Sequence, residues 1–238
     1  MTESSPKPRR FYKTVRVTEA TSGFGVALDT RALKTPGGAP FIVPTGALAA
    51  LCAAEWDAQG EFIVPSTMPI SQFAFAALDG TRRNREDLIS YVASYAETDL
   101  CCHRANSPAE LVARQAAAWD SLVAWGAETL SARLPVVTGV MAADIDPNVL
   151  LTLRGQAAAF DDFHLTALAQ ATGLAGSALI GFALVRGRLT ASEAFAAAAL
   201  DNLWSIEKWG EDAEARARLE RQRAEFEALV RYVTALRA

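Results

Sequence analysis

The sequence predicts an α+β protein: a small β-rich domain over residues 1–83, carrying one or two helices, and a larger all-helical domain over residues 84–238. Three observations carry that prediction. Short apolar segments punctuated by glycine and proline turns fill residues 10–44. Helical spacing of apolar residues takes over at Thr45. The chain holds 48 alanines, most of them in its later part, which lowers the backbone cost of helix formation. A chain of 238 residues, 51% of them hydrophobic, buries roughly 70–75% of its unfolded surface, so its core needs neither disulfide nor metal.

In chain order, Phe11, Thr14, Val15 and Val17 stand among arginines and lysines and read as a first strand. Gly23-Phe24-Gly25-Val26-Ala27-Leu28-Asp29 and Leu33-Lys34-Thr35 follow, and Phe41-Ile42-Val43 lies beyond the turn Pro36-Gly37-Gly38-Ala39-Pro40. Hairpins are the expected product. Leu48, Leu51, Cys52, Glu55 and Trp56 then keep helical spacing, with Thr45 placed as the cap and fraying expected near Gly60. Pro65 and Pro69 mark a short loop.

Beyond about Thr81 the pattern is helical to its end, with five to seven helices expected in a bundle. Ser107-Pro108-Ala109-Glu110 predicts a capped start with proline at the first helical position, Thr190-Ala191-Ser192-Glu193 a second capping box, and Asp146-Pro147 a third start. Apolar stripes follow at Val112, Trp119, Leu122, Val123, Gly126 and Leu130, at Phe195, Ala199, Leu203 and Ile206, and at Phe226, Leu229, Val230, Val233 and Leu236. Ala167 to Val185 is uncharged for 19 residues, the length of a membrane span, but Gly173, Gly176 and Ser177 predict two buried helices and no membrane insertion. In the last helix, Asp212 before Arg216, Glu214 before Arg218 and Glu227 before Arg231 read as a solvated face.

A net charge of −4 gives no general attraction for phosphate backbones, so no nucleic-acid role is expected. Three cysteines, Cys52, Cys101 and Cys102, are too few for a disulfide framework and fit a reducing compartment. The first residues show neither a secretory nor a transit signal, and a cytoplasmic protein is the expectation.

The common chemical constellations are missing from the sequence. There is no phosphate-binding Gly-x-x-x-x-Gly-Lys loop, and Gly23-Phe24-Gly25 lacks the third glycine of a dinucleotide site. His103 and His164 have no second ligand at metal spacing, so neither metal nor cofactor is expected. Cys102-His103 is adjacency without a dyad, and Asp161-Asp162 suits a helix start. Weight therefore moves from enzyme to binding protein. Of Trp56, Trp119, Trp125, Trp204 and Trp209, the last two stand before Gly210-Glu211-Asp212-Ala213-Glu214, an aromatic anchor beside an acidic rim.

Five motifs in order carry a resemblance: Glu55-Trp56-Asp57-Ala58-Gln59-Gly60; Pro65-Ser66-Thr67-Met68-Pro69; Tyr95-Ala96-Glu97-Thr98-Asp99-Leu100 with Arg104-Ala105; Gln115 to Trp119-Asp120; and Trp209-Gly210-Glu211-Asp212-Ala213-Glu214. Together, from about Phe11 to Arg231, they resemble the ATP synthase assembly factor 2 family, chaperones of the F(1)-ATPase α subunit. The resemblance implies a non-enzymatic protein that binds the free α subunit and shields the surface that later meets its neighbour. An exposed subunit interface is an aggregation hazard until covered. The resemblance assigns partner binding to Trp209, Glu211, Asp212 and Glu214; a chain that is monomeric when free is a separate expectation. Asn202 and Ser205 stand where the family usually has an acidic residue and a glutamine, and His103 where an aromatic is common. Trp56 is expected to lock the β domain against its helix. Two other readings stay open at this stage: a hydrolase using two of Asp144, Asp146, Asp161 and Asp162 in a deep pocket, and a general protein-binding adaptor.

Overall fold

The computed structural model describes residues 8–139, 144–210 and 212–238. They form two compact units, residues 1–83 with 231–238 and residues 84–230.

The first unit begins with the hairpin β1 (Val15–Ala20) and β2 (Gly23–Leu28), antiparallel with Val15 opposite Leu28. On its other edge β2 pairs with β3 (Arg31–Ala32) and β4 (Ile42–Val43). The Asp29 carboxylate closes the base of this sheet by accepting from the Lys13 and Thr14 amides at 3.0 and 2.8 Å. The side chain of Thr45 opens α1 (Gly46–Asp57) by accepting from the Leu48 amide, as its sequence position predicts. Leu48, Cys52 and Trp56 are buried along α1, and the Tyr12 hydroxyl donates to the Trp56 carbonyl at 2.7 Å.

The loop expected around Pro65 and Pro69 is shorter than read. Pro69 sits at the first position of α2 (Pro69–Phe75), which continues into a wider turn over Ala76–Thr81. The reason is a cap from outside: the Glu55 carboxylate accepts from the Ile70 and Ser71 amides at 2.9 and 2.7 Å. The returning residues 231–238 join this unit through Tyr232, whose ring lies edge-on to Phe73, and through the Ala235 carbonyl, which accepts from the Thr45 hydroxyl.

The second unit is helical apart from a two-residue parallel pair, β5 (His103–Arg104) with β6 (Val137–Thr138). Its helices are α3 (Arg85–Ser94), α4 (Ala109–Thr129), α5 (Pro147–Ala158), α6 (Asp162–Ala175), α7 (Ala178–Val185), α8 (Ala191–Ala198), α9 (Leu200–Trp209) and most of α10 (Ala213–Leu236). That is eight helices beyond Thr81 among the described residues, against the five to seven expected. One extra comes from a break at Ala199, which splits the single stripe read over Phe195, Ala199, Leu203 and Ile206. Phe195 and Ala199 are buried, whereas Leu203 is exposed.

Caps explain most starts. Thr190 and Glu193 form the reciprocal capping box, and Asp146 accepts from the Asn148 amide at the head of α5. The cap expected of Ser107 fails. Pro108 occupies the cap position of α4, its carbonyl accepts from Leu111 and Val112, and the Ser107 hydroxyl turns to Asn106 instead. The uncharged stretch divides as expected: Gly176, at φ +66°, ends α6 in the left-handed region and Ser177 caps α7. Among the described residues no helix is long and apolar enough to cross a membrane.

Candidate partner-binding surface

The segment leading into α4 is fixed by a buried carboxylate. Asp99 Oδ1 accepts from the Ser177 hydroxyl at 2.7 Å and the Cys101 amide at 3.0 Å, and Oδ2 from the Leu179 amide at 3.1 Å. Burial raises the Asp99 pKa against the pull of these bonds. The same desolvation pushes the thiol of Cys102 up to about 12 and that of Cys101 well above its ordinary value, so both are inert free thiols. No bond links the vicinal pair.

Arg104, next along this segment and only 9% exposed, donates from Nε to the Cys101 carbonyl and lies over the Trp119 ring. Its Nη1 meets Asp120 Oδ1 at 3.0 Å, and Asp120 is largely in water. Its Nη2 is buried without a hydrogen-bond partner. Gln115, buried on α4, links two elements: its Oε1 accepts from the Ala105 amide and its Nε2 donates to Asp201 Oδ1, both at 2.8 Å.

α9 is tied to α4 by charge. Arg114 meets Glu207 through both terminal nitrogens, at 2.6 and 3.0 Å, and also meets Glu110, which takes Lys208 at 3.0 Å. Arg114 and Lys208 both stand over the Trp204 ring. Between the two helices opens a cleft of about 470 Å³, with Arg104, Leu111, Gln115, Asp201, Trp204 and Trp209 among its lining.

Trp209 ends α9 and is 79% exposed, the most exposed of the large apolar side chains described. Asp212 is exposed and its Oδ1 accepts from the Ala215 amide at 2.7 Å, so it caps α10. Glu214 is exposed in the first turn. Glu211 lies outside the described residues. Asn202 accepts from Arg218 at 3.5 Å, and Ser205 donates to the Asp201 carbonyl.

A model of the ATP12 chaperone protein family matches residues 9–127. The crystal structure of Atp12 from Paracoccus denitrificans matches with a TM-score of 0.90 at 38% identity, over 96% of this chain and 98% of that one. The chain belongs to the ATP12 chaperone family. An aspartate-to-lysine variant of the Paracoccus Atp12p aligns equally well at 37% identity, with the same coverage. The Atu1473 protein of Agrobacterium tumefaciens also gives a TM-score of 0.90 at 37% identity, over 96% of this chain and 86% of that one. As an ATP12 family member the protein is a chaperone of ATP synthase assembly.

Three of the four carboxylates considered for hydrolysis have structural employment in this ATP12 fold, and the fourth, Asp144, is exposed. Asp146 caps α5, Asp161 caps α6 by accepting from the His164 amide, and Asp162 pairs with Arg85 at 2.7 Å. Among the described residues no three His, Cys, Asp or Glu side chains gather as a metal site. Sequence reasoning assigned no role to Arg104, Gln115 or Asp201. A signal for Gln115 existed: a polar residue on the stripe that runs through Trp119 and Leu122 to Gly126 needs a buried partner.

Proposed function

We propose that the client of this chaperone is the free α subunit of the F(1) sector, and that the protein acts by passive capping without catalysis of its own. Membership of the ATP12 family supports the chaperone role. The observation that carries the surface is Trp209, left almost wholly in water beside the exposed carboxylates of Asp212 and Glu214. Glu211 belongs to the same proposed acidic turn. A large exposed indole beside charge of one sign is the composition of an interface anchor with a polar rim. The opposing surface on α is then apolar with a basic edge, and the bound state hides it until the neighbouring subunit arrives. The reading places the protein in the cytoplasm of a bacterium, as a monomer before it meets α.

Co-expression with α tests this. The expected result is a co-purifying complex and soluble α at about one chaperone per client, without added ATP. Solubilisation that requires ATP turnover by this chain overturns passive capping, and failure to retain α overturns the client.

A further inference from the structure

The cleft between α4 and α9 has an unusual electrostatic state. Arg104, which lines it, has an anionic partner in Asp120, and over the Trp204 ring Arg114 pairs with Glu207 and Lys208 with Glu110. Two groups are left with spare capacity. Arg104 Nη2 is a donor with no acceptor, buried in a residue that lines the cleft. Asp201 receives Gln115 on Oδ1 only, which leaves Oδ2 as an acceptor. Leu111, Pro108, Trp204 and Trp209 supply apolar wall. An unpaired buried guanidinium nitrogen carries a desolvation cost that a ligand oxygen relieves.

Charge decides what kind of ligand fits. Among the residues that line the cleft, a client carboxylate would meet Asp201 and a client cation would meet Arg104. A group that offers one acceptor and one donor without net charge meets neither penalty, and the peptide amide is that group.

We propose that this cleft is a binding site for an uncharged, extended segment of the client chain. A backbone carbonyl of that segment accepts from Arg104 Nη2, a backbone N–H donates to Asp201, and an apolar side chain lies along Trp204 and Trp209. Arg104 Nη2 is shielded from water in the free protein, so a small turn of the guanidinium about its Nε anchor accompanies entry. The proposal rests on the α-subunit reading and gives it a recognition element distinct from the acidic turn.

Ser205 is exposed and lines the cleft, so Ser205→Trp fills the space from a solvent-facing position outside the core. Calorimetric titration of purified α into parent and Ser205→Trp is the test, at about 50 mM and about 500 mM salt, where screening differs roughly threefold in length. The expected result is a loss of at least about tenfold in affinity, an unchanged melting temperature, and the same fold-loss at both salts because the displaced contact is uncharged. Asn106→Trp, at another exposed residue of the lining, repeats the block if Ser205→Trp melts early. Parent-like binding by both variants overturns the cleft while leaving α as client. A fold-loss that shrinks at high salt overturns the amide assignment in favour of a charged group. No binding by the parent overturns the α-subunit reading and the cleft with it.

Discussion

Asp99 and Ser177 are 78 residues apart, yet the carboxylate of one accepts the hydroxyl of the other at 2.7 Å inside the helical unit. Ser177 in turn accepts from the Ile180 amide, so the first turn of α7 is capped twice, by its own serine and by Asp99 bonded to Leu179. This joint holds the segment that carries Arg104. Asp99→Ala strands two amides and a hydroxyl in a buried site. The expected cost is about 3–5 kcal/mol, read from denaturant or thermal melts. A loss under about 1 kcal/mol would show that the site refills with water.

Asp99 and Asp161 give opposite pH signs. Burial raises the Asp99 pKa in the folded state, so the folded protein holds that proton more tightly than the unfolded chain. Its contribution therefore falls as pH rises through the range between the unfolded value, about 3.9, and the raised folded value. For Asp161, burial raises the pKa, but the bonds from the His164 side chain and amide outweigh it and leave the pKa lowered. That contribution is present above the unfolded value and is lost as pH falls through the folded one. Stability against pH, compared between the parent and Asp99→Asn or Asp161→Asn, should show slopes of opposite sign.

Glu55 and Trp56 are neighbours with different work. Glu55→Ala removes the cap shared by Ile70 and Ser71 and should cost about 1–2 kcal/mol. Trp56, 8% exposed and packed edge-on against Tyr12, should cost more: about 3–5 kcal/mol for Trp56→Arg, which buries a charge and loses aromatic area. Equal melting temperatures for the two variants would contradict this ranking.

Gly181 faces Thr172 at the contact of α6 and α7. A methyl group there would lie 2.4 Å from Thr172 Oγ1 and 3.1 Å from its backbone nitrogen. Backbone cannot retreat as a flexible side chain does, so Gly181→Ala should destabilise by about 1–3 kcal/mol despite its better helix propensity. A stabilised variant would show that the two helices separate cheaply.

The acidic turn separates by charge and cap. Asp212→Ser keeps an oxygen for the Ala215 amide while removing the charge, so its melting temperature should stay near that of the parent. Glu214→Lys should cost about 2–5 kcal/mol of α binding, because the opposing cation is left unpaired. Calorimetry with both variants binding α like the parent would move the interface away from this turn.

What is local in this fold can be read from the order of residues. Thr45, Asp146 and Thr190 mark helix starts because a capping oxygen reaches an amide two or three residues on, and the same is true of Ser177. Family and fold class were legible for a related reason, since ordered motifs and hydrophobic periods are properties of the chain itself. Which distant groups meet is settled by packing. Gln115 reaches Asp201 across 86 residues of chain, Glu55 caps a helix it does not belong to, and residues 231–238 return to the first unit. Ser107 had the composition of a cap and lost the position to Pro108, while the periodic stripe through Ala199 concealed a break. In each case the outcome depends on how buried polar groups are satisfied once helices pack, and that requirement acts between segments that the order of residues leaves far apart.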